Sequence, residues 1–336
     1  MNLPERVCLI APPFETARGW VRVPPDGYGG IQWSMANLMD GLLALGFRLT
    51  LLGAPGSTWP ADQVDVPPVA EAEEIAGWLA DNRPPLVHDF ANFSDLHDDL
   101  PPGTAYCRTW QLTSVPPGRA NTVYVSRAQL RSMGVPEAPV IPLPVNPSRF
   151  RFCPDKDDYL LFLGRISAWK GTYEAAALAA HLGTRLVVAG PSWEPDYKQR
   201  IVTDFGGVVA FAGEVAGQAR AQLIERARAI AVLSQPVDGP WGQTWCEPGS
   251  AVVAEAAACG TPVIATDNGC LPSLIPGIGV LVPTGSRFTR LDTHTVERLP
   301  EPTQVRAVAV ERWGHIGVAS RYLAVYRDCL AGRRWK

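Results

Sequence analysis

Short apolar runs, each followed by a stretch of helical spacing, recur along this chain, and no other feature restricts its fold as much. "RVCLIAP" leads into "GGIQWSMANLMDGLLALG", whose apolar residues repeat at helical spacing and stop at Gly46; "RLTLLGAPG" comes next. Parallel strands buried on both faces read as continuous apolar runs, and a crossover helix must connect them. The alternation therefore predicts an α/β architecture built on parallel sheets.

After a proline-rich acidic stretch come the shorter runs "PLVHDF", "TAYCRTW" and "NTVYVS", then a helix around "RAQLRSMG". The pattern breaks at "PEAPVIPLPVNPSRFRFCPDKDD", where prolines and a charged cluster mark a linker. A second series follows, with strands "YLLFLG", "RLVVAG", "VVAFAG", "AIAVLS", "PVIAT" and "GVLVP". The end, "ERWGHIGVASRYLAVYRDCLAGRR", reads as one amphipathic helix. Two doubly wound, Rossmann-like domains are expected, over 1–150 and 151–314, with a terminal helix of about 315–336 packing back on the first. Such domains would place their strand C-terminal ends, and their ligand sites, at a shared cleft.

The 336 residues, 46% hydrophobic and 19% charged, suit a soluble chain of two domains. Net charge is −3 with no basic block, which argues against a nucleic-acid partner. Seven scattered cysteines form no C-x-x-C pair, so reduced thiols are expected rather than disulfides or zinc. "MNLPERVCLIAPP" lacks the apolar length of a signal peptide, so a cytoplasmic location without stable membrane association is expected. Lysine is rare, occurring only at 156, 170, 198 and 336, which singles out Lys170.

The stretch "WCEPGSAVVAEAAACGTPVIAT" holds Glu247 and Glu255 in an otherwise apolar run. Pro248-Gly249-Ser250 reads as a helix start, with Ser250 as a candidate cap, and Gly260 as the stop. Amides at a helix mouth, with the dipole behind them, form an anion site. A carboxylate on either side suits a ligand with a charged middle and hydroxyl-rich ends, the layout of a nucleotide sugar. Arg165 and Lys170, in "FLGRISAWKG", follow a strand and open a helix where cations can meet a diphosphate; ordinary surface charge is the plainer alternative. The loop Gly27-Tyr28-Gly29-Gly30 follows the first strand and starts a helix, a position for a phosphate or substrate loop or for a plain turn. His88 closes "LVHDF" and fits either a sugar contact or a satisfied core histidine. Asp155-Lys156-Asp157 matches a D-x-D metal motif but lies in the polar linker, and is read as solvated loop.

"FLGRISAWKG", "EPGSAVVAEAAACGTPVIATDNGCLPSLI" and "GVLVPTG" together resemble the donor half of glycosyltransferase family 4. The resemblance is strongest from about 160 to 285; "GYGGIQ" and "VSRAQLRSMGVPEAPVIPLPVNPSRF" carry it more loosely through the first half. It implies the GT-B fold and a retaining, metal-independent sugar transfer. A nucleoside diphosphate sugar would be the donor, with no further cofactor. By that resemblance Arg165, Lys170 and the Gly249 and Ser250 amides would hold the diphosphate. Glu255 would take the ribose, and Glu247 the donor sugar. Gly29 and Gly30 would line the phosphate and acceptor. The chain departs from the family where Phe-Gly usually follows Glu-Pro: here Gly249-Ser250 stands. Thr109-Trp110-Gln111 aligns with a Thr-Phe-His near the donor sugar, so Gln111 puts an amide in place of a histidine. "QPVDGPWGQTWC" before Glu247 is longer and more aromatic than usual.

The composition also suits an antibiotic-biosynthesis member of the avilamycin type. A soluble acceptor would enter by the loop "PPFETARGWVRVPPDGYGG", where Trp20 can stack on a sugar. Three rivals stand beside this reading. A nicotinamide-dependent oxidoreductase would need an acidic residue closing the second strand, and "RLTLLGAPG" has none. A non-catalytic two-lobed sugar-binding protein would usually be exported. An epimerase or phosphorylase of the same fold differs only by assay.

Overall fold

Apolar runs become the strands of two six-stranded sheets, each entirely parallel. The computed structural model describes residues 3–16, 19–60, 62–91, 100–114, 121–240, 242–285 and 297–335. The chain divides into two compact units, Met1–Pro144 with Trp313–Lys336, and Val145–Arg312.

The first unit opens with β1 (Arg6–Ile10), a two-residue antiparallel pair β2 (Glu15–Thr16) and β3 (Gly19–Trp20), and α1 (Gly30–Ala44). It continues through β4 (Arg48–Leu52), β5 (Val64–Asp65), α2 (Ala72–Asn82), β6 (Leu86–Asp89), β7 (Ala105–Trp110), β8 (Thr122–Tyr124) and α3 (Arg127–Ser132). Its sheet order is β5-β4-β1-β6-β7-β8. One face buries Met35, Leu38, Met39 and Leu42 of α1 together with Val318, Tyr322 and Tyr326 from near the chain end. The opposite face packs Ile75 and Leu79 of α2 on Cys8, Ile10, Leu52 and Val87. Burial on both faces is why these strands are mostly apolar rather than alternating, although β6 and β7 also bury His88, Asp89, Arg108 and Thr109.

The second unit comprises β9 (Asp157–Leu163), α4 (Thr172–His181), β10 (Arg185–Ala189), α5 (Pro195–Phe205), β11 (Val209–Gly213), α6 (Gly217–Arg226) and β12 (Ala227–Val232). Then come α7 (Ala251–Ala258), β13 (Val263–Thr266), α8 (Leu271–Leu274), β14 (Gly279–Val282) and α9 (Pro302–Trp313). The sheet order β11-β10-β9-β12-β13-β14 repeats that of the first unit. In both, the winding direction reverses beside the first strand, at β1/β6 and β9/β12. Ligands of doubly wound sheets bind outside the strand C-termini at that reversal.

The carboxyl-terminal stretch differs from its expectation. It is two helices, α9 and α10 (His315–Leu330), broken at Gly314, whose extended ψ of 128° cannot continue a helix. The break separates residues of different units: α10 packs on α1 and β7 of the first, while α9 up to Arg312 belongs to the second. Among the described residues, no helix is long and apolar enough to cross a membrane.

Candidate functional site

The loop leaving β9 carries Arg165 and Lys170. A short 3₁₀ turn, Ala168–Lys170, ends at Gly171, which adopts φ +74° and lies against the end of β12. A Cβ at Gly171 would overlap the Leu233 carbonyl, so only glycine lets this turn rest against that neighbouring strand end. Gln235 donates its backbone N–H to the Trp169 carbonyl at 3.0 Å and ties the same turn down. The Arg165 guanidinium stacks on Trp193 at 3.6 Å from the ring centroid and faces Trp169 at 5.2 Å.

Lys170 Nζ donates to both carboxylate oxygens of Glu247, at 2.9 and 2.8 Å. Trp245 Nε1 donates to Glu247 Oε2 at 3.1 Å. The same Trp245 ring lies 4.5 Å from Lys170 Nζ and 4.5 Å from the Trp169 ring. Glu247 is buried, and its backbone is held from the far side: Cys270 donates its N–H to the Glu247 carbonyl at 2.9 Å. Gly269, at φ +61°, presses on the same peptide, where any Cβ would overlap Glu247 backbone atoms.

The helix beyond Glu247 begins later than its sequence suggests. α7 covers Ala251–Ala258, so Pro248 and Gly249 precede it, and Ser250 occupies the N-cap position without a side-chain capping bond. The first amides of a helix have no acceptor within it, so the mouth of α7 remains an anion-binding end. Glu255 faces inward and is buried, as an inward carboxylate on an Ala/Val helix must be, but it is not left to a ligand alone. The Arg220 guanidinium of α6 pairs with Glu255 Oε2. Lys170 and Glu247 thus meet beyond the β9/β12 reversal, with Gly249 and Ser250 following Glu247 along the chain, Arg165 on the same loop as Lys170 and Glu255 on the helix behind Ser250.

In the first unit, Gly29 takes the N-cap of α1 at φ 145°, and Gly30 is the first helical residue. Gln111, just past β7, exchanges hydrogen bonds with Ser34 Oγ of α1 at 2.8 and 3.1 Å. Gln111 and the glycine turn therefore share the N-terminal end of one helix.

His88 requires a correction: its environment is that of a core histidine. It is fully buried, with Nδ1 2.8 Å from Tyr326 Oη and Nε2 2.8 Å from Thr109 Oγ1. Thr109 Oγ1 in turn lies 2.9 Å from Tyr322 Oη, and the Phe90 ring sits 4.4 Å from the imidazole. Burial lowers the His88 pKa to about 3, so the ring is neutral, and both nitrogens are engaged inside the fold. It anchors α10 to β6 and β7. Asp89 beside it is likewise internal, accepting from Tyr106 Oη at 2.7 Å and Arg108 Nε at 3.3 Å.

In the 155–157 stretch Asp155 is exposed, as its polarity suggests, while Lys156 and Asp157 are half-buried and engaged in pairs. Asp157 begins β9 and pairs with Arg226, which holds its carboxyl below the usual range. Lys156 Nζ donates to the Glu225 carbonyl at 2.7 Å and to Thr261 Oγ1 at 2.8 Å, and burial lowers its pKa to about 8. Among the described residues no cluster of three or more His, Cys, Asp or Glu could hold a metal ion. Trp20 forms half of the β2–β3 pair; Ala17, Arg18 and Trp241 lie outside the described residues.

Four site residues escaped the sequence reading: Trp169, Trp193, Trp245 and Arg220. The aromatic character of the segment before Glu247 was visible, but which indole faces which cation depends on loops far apart in sequence. Arg220 sits in "GQARAQLIER", an ordinary polar helix, and only the burial of Glu255 hinted that a cation must lie near.

Comparison with known proteins supplies the family. Residues 148–286 match the model of the glycosyl transferases group 1 family. The chain is 32% identical over 203 residues to D-inositol 3-phosphate glycosyltransferase 1 of Catenulispora acidiphila, a match covering 52% of this chain and 45% of that protein. It therefore spans about half the length of that curated relative. Among solved structures it is similar to AviGT4, a glycosyltransferase involved in avilamycin A biosynthesis, at 46% identity and a TM-score of 0.95, covering 99% of this chain and 100% of that one. Sucrose-phosphate synthase from Thermosynechococcus elongatus shares the fold at 18% identity, with a TM-score of 0.73 over 97% of this chain and 99% of that one. Doubly wound twin units, a matching family model through the second unit and near-complete correspondence with AviGT4 lead to one conclusion: this chain belongs to the group 1 glycosyl transferases and has the GT-B fold.

Proposed function

We propose that the protein transfers a sugar from a nucleoside diphosphate sugar to a hydroxyl of a soluble acceptor, retaining the anomeric configuration and using no metal. The observation that carries this reading is the Lys170–Glu247 pair beside Arg165 at the mouth of α7, beyond the β9/β12 reversal. Two cations and the helix-mouth amides of Gly249 and Ser250 suit a diphosphate leaving group. In this reading Glu255 accepts from ribose hydroxyls, and Glu247 from hydroxyls of the sugar. Gly29, Gly30 and Gln111 supply the acceptor side of the reading.

In the transfer, the bond from the anomeric carbon to the diphosphate oxygen breaks and its electron pair stays with that oxygen. The acceptor hydroxyl oxygen bonds to the same face of the carbon, and its proton passes to the departing phosphate. No protein nucleophile is needed; the chain contributes positioning and stabilisation of the charge on the leaving group. The similarity to AviGT4 supports a soluble natural product as the acceptor class.

A thermal-shift screen with UDP, GDP, ADP and TDP and their sugars tests the donor class. Proton NMR of the product then reads its anomeric configuration. Product with the donor's configuration, formed at full rate in EDTA, is the expected result. Inversion, dependence on Mg²⁺ or Mn²⁺, or strong cosedimentation with anionic liposomes would each contradict a part of the reading.

A further inference from the structure

While they are bonded to each other, Lys170 and Glu247 turn most of their hydrogen-bonding capacity on one another rather than on a donor. Lys170 gives two of its three N–H donors to the two Glu247 oxygens. The reading above asks the ammonium to meet the diphosphate and the carboxylate to meet the sugar. For the ammonium to turn these two donors to the diphosphate one partner must shift, and their surroundings differ. The Lys170 side chain is 26% exposed and ends a flexible four-carbon stem. The Glu247 side chain is 4% exposed, on a peptide clamped by Cys270 and Gly269. Lysine is the partner able to move.

A carboxylate abandoned in a buried site needs another donor to stay aimed. Trp245 supplies it, with Nε1 3.1 Å from Glu247 Oε2. Its ring, at 4.5 Å from Lys170 Nζ, together with Trp169 at 5.2 Å, forms an aromatic bed from which the ammonium departs. We infer that Trp245 is a positioning residue that keeps Glu247 aimed at the donor sugar while Lys170 exchanges the Glu247 carboxylate for the donor diphosphate. The inference rests on the donor-site reading proposed above and adds an order of events to it. The free protein holds its two charged groups against each other, and the diphosphate separates them.

Three measurements test it, all on the full chain with UDP, GDP, ADP and TDP as probes. By calorimetry, Glu247→Gln should bind the preferred diphosphate about fivefold tighter than wild type, because no carboxylate competes for Lys170. Unchanged or weaker binding overturns the exchange. The chain has four lysines, so [ε-¹³C]lysine labelling gives a spectrum simple enough to follow Lys170, assigned through its loss in Lys170→Arg. Its ring-shifted signal should move toward those of solvated lysines as diphosphate saturates; a stationary signal at saturation overturns the exchange. Trp245→Phe keeps a ring and loses the N–H, so kcat should fall about tenfold or more while diphosphate affinity stays within about twofold. No loss, or equal losses in kcat and affinity, overturns the positioning role. Failure of every diphosphate to bind removes the donor-site reading and the inference with it. Binding without movement of Lys170 removes only the inference.

Discussion

Arg220 and Glu255 form an ion pair between α6 and α7, with side chains 10% and 3% exposed. In a pair this dry the guanidinium offsets part of the hydration that the Glu255 carboxylate loses on an apolar helix face. Removing only the cation leaves an uncompensated buried charge. Arg220→Met should therefore cost about 3–5 kcal/mol in urea denaturation. Adding Glu255→Leu to it should recover most of that loss. Equal instability of the single and double variants would show that packing, and not the charge, is responsible.

Glu255→Gln keeps the shape and removes the charge. If the carboxylate accepts from ribose hydroxyls, free nucleoside diphosphate and nucleotide sugar should both bind about 1.5–3 kcal/mol more weakly. Calorimetry with both ligands checks this. A loss confined to the nucleotide sugar would move Glu255 from the ribose to the sugar.

Arg165→Ala should weaken diphosphate binding by about 1.5–3 kcal/mol, the scale of a charge-assisted hydrogen bond. Trp193, 57% exposed, is the ring on which that guanidinium rests. Trp193→Ala should act through Arg165 and lose about 0.5–1 kcal/mol, with no further loss once Arg165 is absent. Additive losses in the double variant would give Trp193 a contact of its own with the ligand.

His88 should make stability pH-dependent. Its pKa falls from an ordinary value near 6.5 to about 3 through burial. Between those values the unfolded chain binds a proton that the folded one refuses, so stability rises with pH there. The contribution is complete above about pH 6.5 and is lost as pH falls toward 3, reaching about 2 kcal/mol by pH 5. His88→Gln should be less stable at pH 7 and should lack this part of the slope between pH 7 and 5. An unchanged slope would mean that His88 can take up a proton inside the fold.

The α/β class and the eleven longer parallel strands other than β5 were legible along the chain. Burial on both faces leaves a local mark, an uninterrupted apolar run. The acid–base inventory of the donor half was equally local, because Arg165 and Lys170 share one loop and Glu247, Gly249, Ser250 and Glu255 one strand-to-helix segment. Distinguishing a helix mouth from the helix proper was harder: α7 begins at Ala251 because Pro248 and Gly249 turn outside it. The terminal stretch, apolar at helical spacing throughout, hid the break at Gly314.

Pairing was decided only in three dimensions. Arg220 reaches Glu255 across 35 residues, Lys170 reaches Glu247 across 77, and Tyr326 reaches His88 across 238. Each partner is chosen by which strands and helices lie side by side, and the reversal of winding beside β1 and β9 sets that order. Periodicity records how much of a residue is buried but not beside what. For His88 the neighbour changes the meaning of the residue, from a group offered to a ligand to one whose nitrogens are both satisfied within the core.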